Sequence, residues 1–127
     1  MSLDDVFRGG PHDAPPSAAG GLSVEVAHED SDCAVVFVRG DLDRSSIPVM
    51  ARHLSATFAA GGSDRVVVVN LAGATFVDVA GLCFLFEAAG WAAEHGSRLY
   101  LAGCSVHLVR LLKLTDLLDG LDVIPAG

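Results

Sequence analysis

The run Arg65-Val66-Val67-Val68-Val69-Asn70-Leu71 narrows what this chain can fold into more than any other stretch. Consecutive β-branched residues lose side-chain freedom in a helix and fit a pleated strand. Apolar on both sides and flanked by turn residues, the run predicts an interior parallel strand covered on both faces. Parallel neighbours require long crossover connections, so helices should precede and follow it. Upstream, Ser45-Ser46-Ile47-Pro48 offers a hydroxyl cap and a first-turn proline. Ile47, Met50, Ala51, Leu54 and Phe58 then recur on one helical face, and Gly61-Gly62 closes it. Downstream, a helix is expected to begin around Asp78 to Gly81 and run to about His95. Leu82, Leu85, Phe86 and Ala89 form its stripe and Gly96 ends it.

The remaining segments supply further strands. Leu22, Val24 and Val26 alternate with Ser23 and Glu25, the period of a half-buried edge strand. Glu29-Asp30-Ser31-Asp32 turns the chain into Cys33-Ala34-Val35-Val36-Phe37-Val38, apolar on both faces and hence a central strand paired in a hairpin. Arg98-Leu99-Tyr100-Leu101-Ala102 is another strand. Ser105 caps a third helix bearing Val106, Val109 and either Leu112 or Lys113, and Leu121-Asp122-Val123-Ile124-Pro125 makes a short last strand. The order is ββαβαβαβ. It implies an α/β fold with an open, mixed and mostly parallel sheet of four to five strands, three to four helices and right-handed crossovers.

A chain of 127 residues suits one domain. Residues 1–21 carry Gly9-Gly10-Pro11, Ala14-Pro15-Pro16 and Gly20-Gly21 without a hydrophobic period, so they read as a flexible leader to a domain over 22–127. Sixteen acidic against eight basic residues leave a formal charge of −8, the wrong sign for neutralising phosphates, and no nucleic acid partner is expected. No apolar run approaches the roughly 18 to 20 residues of a spanning helix. The start, MSLDDVFRGG, lacks the basic and apolar regions of a signal peptide. Together these predict a cytoplasmic protein with no membrane insertion. Cys33, Cys83 and Cys104, odd in number and widely spaced, do not make a disulfide framework.

Three segments resemble a known family, the STAS domain in its small bacterial form as an anti-sigma factor antagonist. They are Val38-Arg39-Gly40-Asp41-Leu42-Asp43; Val69 to Leu82, the most specific; and Arg98-Leu99-Tyr100-Leu101 followed by Ser105 to Leu118. The resemblance runs from about Leu22 to Ile124. It implies the STAS fold and a binding module, not an enzyme, that sequesters an anti-sigma factor with a serine-kinase fold and so frees a sigma factor. In that family the loop after the third strand reads Asp-Ser-Ser-Gly or Asp-Ser-x-Gly, and the kinase silences its antagonist by phosphorylating the serine before the glycine. Here the positions between Asp78 and Gly81 are Val79 and Ala80, neither with a hydroxyl. Ala80 therefore occupies a degenerate phosphoacceptor position, so the protein is expected to be constitutively competent to bind or regulated elsewhere.

The resemblance places partner contacts at Asp43, Asp78, Val79, Ala80, Gly81 and Leu82. Elementary chemistry offers rival roles: Asp78 as a helix cap, Gly81 as a tight-turn residue, Asp43 as a turn residue ahead of a helix. Thr75, Ser45 and Ser46 are hydroxyls near the same edge that could be modified instead, or simply strand-end and cap residues. Cys83 and Cys104 fall at the carboxyl edge of the strands, where a reversible disulfide could regulate docking, or where two small buried hydrophobes would serve. Cys104-Ser105-Val106-His107 lacks the further ligands a zinc site needs. No phosphate-binding glycine loop occurs, and no cofactor or metal is expected. The alternatives are a STAS adaptor subunit of an ABC-type lipid transporter, a signalling scaffold, or a small nucleotide-binding enzyme. Exposed edge strands also permit a homodimer.

Overall fold

The computed structural model describes residues 21–30, 32–61 and 64–124. The leader expected over 1–21 lies outside them except for Gly21. The elements are β1 (Ser23–Glu29), β2 (Cys33–Leu42), α1 (Ile47–Gly61), β3 (Val66–Val77), α2 (Val79–Glu94), β4 (Arg98–Ala102), α3 (Val106–Leu114), a 3-10 turn at Leu118–Gly120 and β5 (Asp122–Val123). One five-stranded sheet runs β1-β2-β3-β4-β5 in chain order. β1 pairs antiparallel with β2, and every other pair is parallel. The fold class and element order therefore match the reading from sequence.

The register explains where the core lies. Val36 pairs with Val69 and Val69 with Leu101, while Ala34 pairs with Val67 and Val67 with Leu99, so these side chains share one face. All are buried. Met50, Leu54 and Phe58 of α1, Leu82, Leu85 and Ala88 of α2, and Leu108 and Leu112 of α3 join them in one cluster. The three described helices thus pack on the same face. This corrects the expectation of strands covered on both sides. Val35, Val68 and Tyr100 form a row across the opposite face and are only half-buried, as are Phe37, Asn70 and Ala102 in the next row. Sequence adjacency made the valine run look doubly buried, whereas its second face is only half-buried.

Two helix stripes also need revision. In α2 Phe84 is buried and Phe86 exposed, so Phe86 is not a core residue. The helix is apolar nearly all round, VAGLCFLFEAAGWAAE, and periodicity alone could not select the inward side. In α3 Leu108 and Leu112 face inward, while Val106 and Lys113 are exposed.

At the amino edge of the sheet, Arg65 is 1% exposed and joins three segments. Its guanidinium donates to the Thr57 carbonyl of α1, to the Asp30 carbonyl and to the Glu29 carboxylate, each at 2.9 Å. Gly61 makes room for it: a Cβ there would strike Arg65 Cδ.

Candidate functional site

β3 outruns its neighbour. β4 ends opposite Asn70, whereas β2 continues alongside β3 until Leu42 faces Val77, with register shifts between Phe37 and Arg39 and between Gly40 and Asp41. β3 thus runs through residues 72–77, beyond the Arg65–Leu71 run that the sequence marked as strand, because β2 extends far enough to pair with them. The overhang carries the chain to the corner where α2 begins.

That corner is locked by backbone and cap. The Asp78 N–H donates to the Leu42 carbonyl at 3.2 Å. Asp78 has extended geometry, and its carboxylate accepts from the Gly81 N–H at 2.8 Å, satisfying one of the donors a helix start leaves unpaired. Gly81 is buried, and a Cβ on it would approach the Leu42 carbonyl oxygen to 2.6 Å. The glycine is thus required for α2 to pack on the end of β2. Its neighbour Leu82, grouped with the docking residues from sequence, is fully buried in the core and offers no contact surface. Around the cap, Val79 is 53% and Phe76 55% exposed, and Ala80 is half-buried. Phe76 was missed from sequence because the strand was marked only as far as Leu71; an aromatic beside a helix cap is the signal that could have flagged it.

Asp43 lies across the same edge. Its carboxylate accepts from the Ser45 hydroxyl at 2.7 Å and from the backbone N–H groups of Ser45 and Ser46 at 3.0 and 3.3 Å. The Ser45 hydrogen bond foremost, with the backbone donors, holds this carboxyl below the ordinary aspartate value. The local geometry therefore explains Asp43 as the turn ahead of α1. Ser46 is fully buried, donating to the Asp41 carbonyl at 2.8 Å, which removes it as an accessible hydroxyl. Ser45 and Thr75 remain exposed.

The two cysteines of the carboxyl edge have different surroundings. Cys83 is exposed on α2, whereas Cys104 packs against the core, and burial pushes its thiol pKa up. Cys104 lines a groove between α3 and β5 to which α2 contributes no residue, and all three cysteines carry free thiols. His107 lies on the other side of α3, in a groove of about 450 Å³ against the β3 overhang that also includes Thr75, Phe76 and Leu111. The Cys104-x-x-His107 pair thus splits between two grooves.

A sheet covered on one side by three crossover helices, with a capped, partly apolar helix start exposed at its carboxyl edge, defines a small α/β domain of the (βα)-repeat type. Sequence comparison specifies it further. The family described as "Mlab, STAS domain" matches residues 26–124, and the chain belongs to the STAS domain family. An anti-sigma-B factor antagonist of Listeria monocytogenes is 28% identical over 102 residues, covering 80% of this chain and 88% of that protein. Among solved structures, an anti-sigma factor antagonist from Mycobacterium paratuberculosis superposes with a TM-score of 0.69 at 22% identity, covering 89% of this chain and 90% of the other. Unphosphorylated SpoIIAA, an anti-sigma factor antagonist, gives a TM-score of 0.61 at 15% identity, with 83% and 90% covered. At these identities the superpositions establish the fold. No described helix is long and apolar enough to cross a membrane.

Proposed function

We propose that this chain is a non-enzymatic binding module that acts as an anti-sigma factor antagonist, docking a serine-kinase-type anti-sigma factor in the cytoplasm and so releasing a sigma factor. The observation that carries the reading is the β3–α2 corner: exposed Phe76 and Val79 flank an aspartate-capped helix start, with no hydroxyl at position 79 or 80. The relatives named as anti-sigma factor antagonists support the same assignment. A phosphate on a residue at this position would add about −1.5 to −2 charge to an apolar contact surface, which gives the position its value as a switch. Ala80 keeps this chain in the unmodified state, and Asp43 shapes the turn beside the contact.

The test combines a purified anti-sigma kinase with radiolabelled ATP. Wild type should bind and take no label at residues 78–82, and Phe76→Asp with Val79→Asp should weaken binding at least about tenfold. Label within 78–82, or full binding by the double variant, would refute the reading. The matching family description names Mlab, so a second binding reading is kept: the adaptor subunit of a transporter. Affinity capture from native cells separates the two, since the first retains a sigma regulator and the second an ATPase.

A further inference from the structure

α3 carries two cations and no carboxylate in an acidic chain. Its sequence, VHLVRLLKL, contains His107, Arg110 and Lys113 and no carboxylate, within a protein of net charge −8. Leu108 and Leu112 fix its inward side. At 100° per residue, Val106, Arg110, Lys113 and Leu114 then project on the outward side. Val106 is 74% and Leu114 76% exposed, high values for large apolar side chains. Beside them a groove of about 510 Å³ runs between α3 and β5, walled by Val106, Val109, Val123 and Ile124 with Arg110 and Lys113 on its rim. Among the described residues no acidic side chain lines it. β5 is the last strand of the sheet, so nothing described covers that flank. Among the described residues neither Arg110 nor Lys113 has an ion-pair partner.

We infer that the α3–β5 groove docks an acidic, amphipathic segment of a protein partner. Its apolar walls take a hydrophobic stripe, and its two cations take carboxylates that the rest of this acidic molecule repels. The concave shape suits a row of side chains better than the flat surface of a bilayer. This surface is separate from the Phe76–Val79 corner and stands whether or not that corner binds an anti-sigma factor.

Two labelled synthetic peptides test it by fluorescence anisotropy with the full chain. Both are about 14 residues long with the same leucine stripe at helical spacing, one carrying Glu and the other Lys at the remaining positions. The Glu peptide should bind at least about tenfold tighter than the Lys peptide, and about tenfold weaker to Arg110→Glu with Lys113→Glu. Cys104 lines the groove, so the Glu peptide should also slow its alkylation while leaving exposed Cys83 unaffected. Val106→Asp, at a wall position 74% exposed, gives an independent loss should the charge reversals perturb folding. Equal affinity for the two peptides, binding insensitive to both sets of substitutions, binding that leaves Cys104 unprotected, or preference for phosphatidylglycerol vesicles over the Glu peptide would each overturn the inference.

Discussion

Replacing Arg65 by alanine tests whether the amino edge is held by one buried cation or by an ordinary surface ion pair. The guanidinium makes three hydrogen bonds at 2.9 Å, two of them to main-chain carbonyls that are 8 and 35 residues away in sequence. Removing one partner of a buried ionic network costs about 3–5 kcal/mol. Glu29 is 44% exposed, so Glu29→Gln keeps an acceptor and should cost under about 1 kcal/mol. Against the roughly 5–15 kcal/mol that stabilises a domain, the first change is severe and the second minor. With a urea slope near 2 kcal/mol/M, Arg65→Ala should move the midpoint down by about 2 M. Gly61 makes the reasoning sharper, because its missing Cβ is what admits Arg65. Gly61→Ala should destabilise wild type by about 1–3 kcal/mol through overpacking, yet be close to neutral in the Arg65→Ala background, where the space its Cβ needs is open. Equilibrium urea unfolding of the four proteins gives the cycle. Equal losses for Arg65→Ala and Glu29→Gln, or the same effect of Gly61→Ala in both backgrounds, would refute it.

The carboxyl edge yields further outcomes. Asp78→Ala should lower stability by about 1 kcal/mol through loss of the cap, seen in the same unfolding assay. Gly81→Ala should cost about 1–3 kcal/mol, because its Cβ meets the backbone of Leu42, and should weaken docking at the corner. Ala80→Ser should create a phosphoacceptor: label appears on incubation with the anti-sigma kinase and the modified protein loses affinity. The Asp43 carboxyl titrates below its unfolded value, so it stabilises the fold above about pH 3.9 and that contribution disappears as pH falls through its lower folded pKa. Asp43→Asn should therefore flatten the acid limb of stability. His53 is held neutral chiefly by burial, with Arg52 adding to it, so its folded pKa lies below its unfolded value near 6.5. Stability should fall as pH drops below that point toward the folded pKa, and His53→Gln should remove the slope.

What the sequence disclosed was local. Asp78 and Ser105 cap their helices as their residue types and positions suggested, and the alternation of strand and helix gave the correct element order. What it concealed was relational. Nothing in Ala72 to Val77 says strand until Arg39 to Leu42 run beside it, and nothing in the valine run says that the three described helices share one side. The choice between Phe84 and Phe86 depends on which way an almost wholly apolar helix is turned. Arg65 reads as a strand-flanking cation, and its burial depends on Glu29 and Asp30, distant in sequence, as well as on Thr57 and Gly61 of α1. At the candidate site the helix-start residues were legible, whereas the exposure of Phe76 and the burial of Leu82 were matters of packing.

Leu42 offers one oxygen to two tasks, receiving the Asp78 amide and closing against Gly81. The end of β2 and the first turn of α2 are thereby welded into a single unit before any partner arrives. Association at such a preassembled ledge forgoes little backbone freedom, so its affinity should depend on the side chains presented there rather than on any rearrangement of the main chain beneath them.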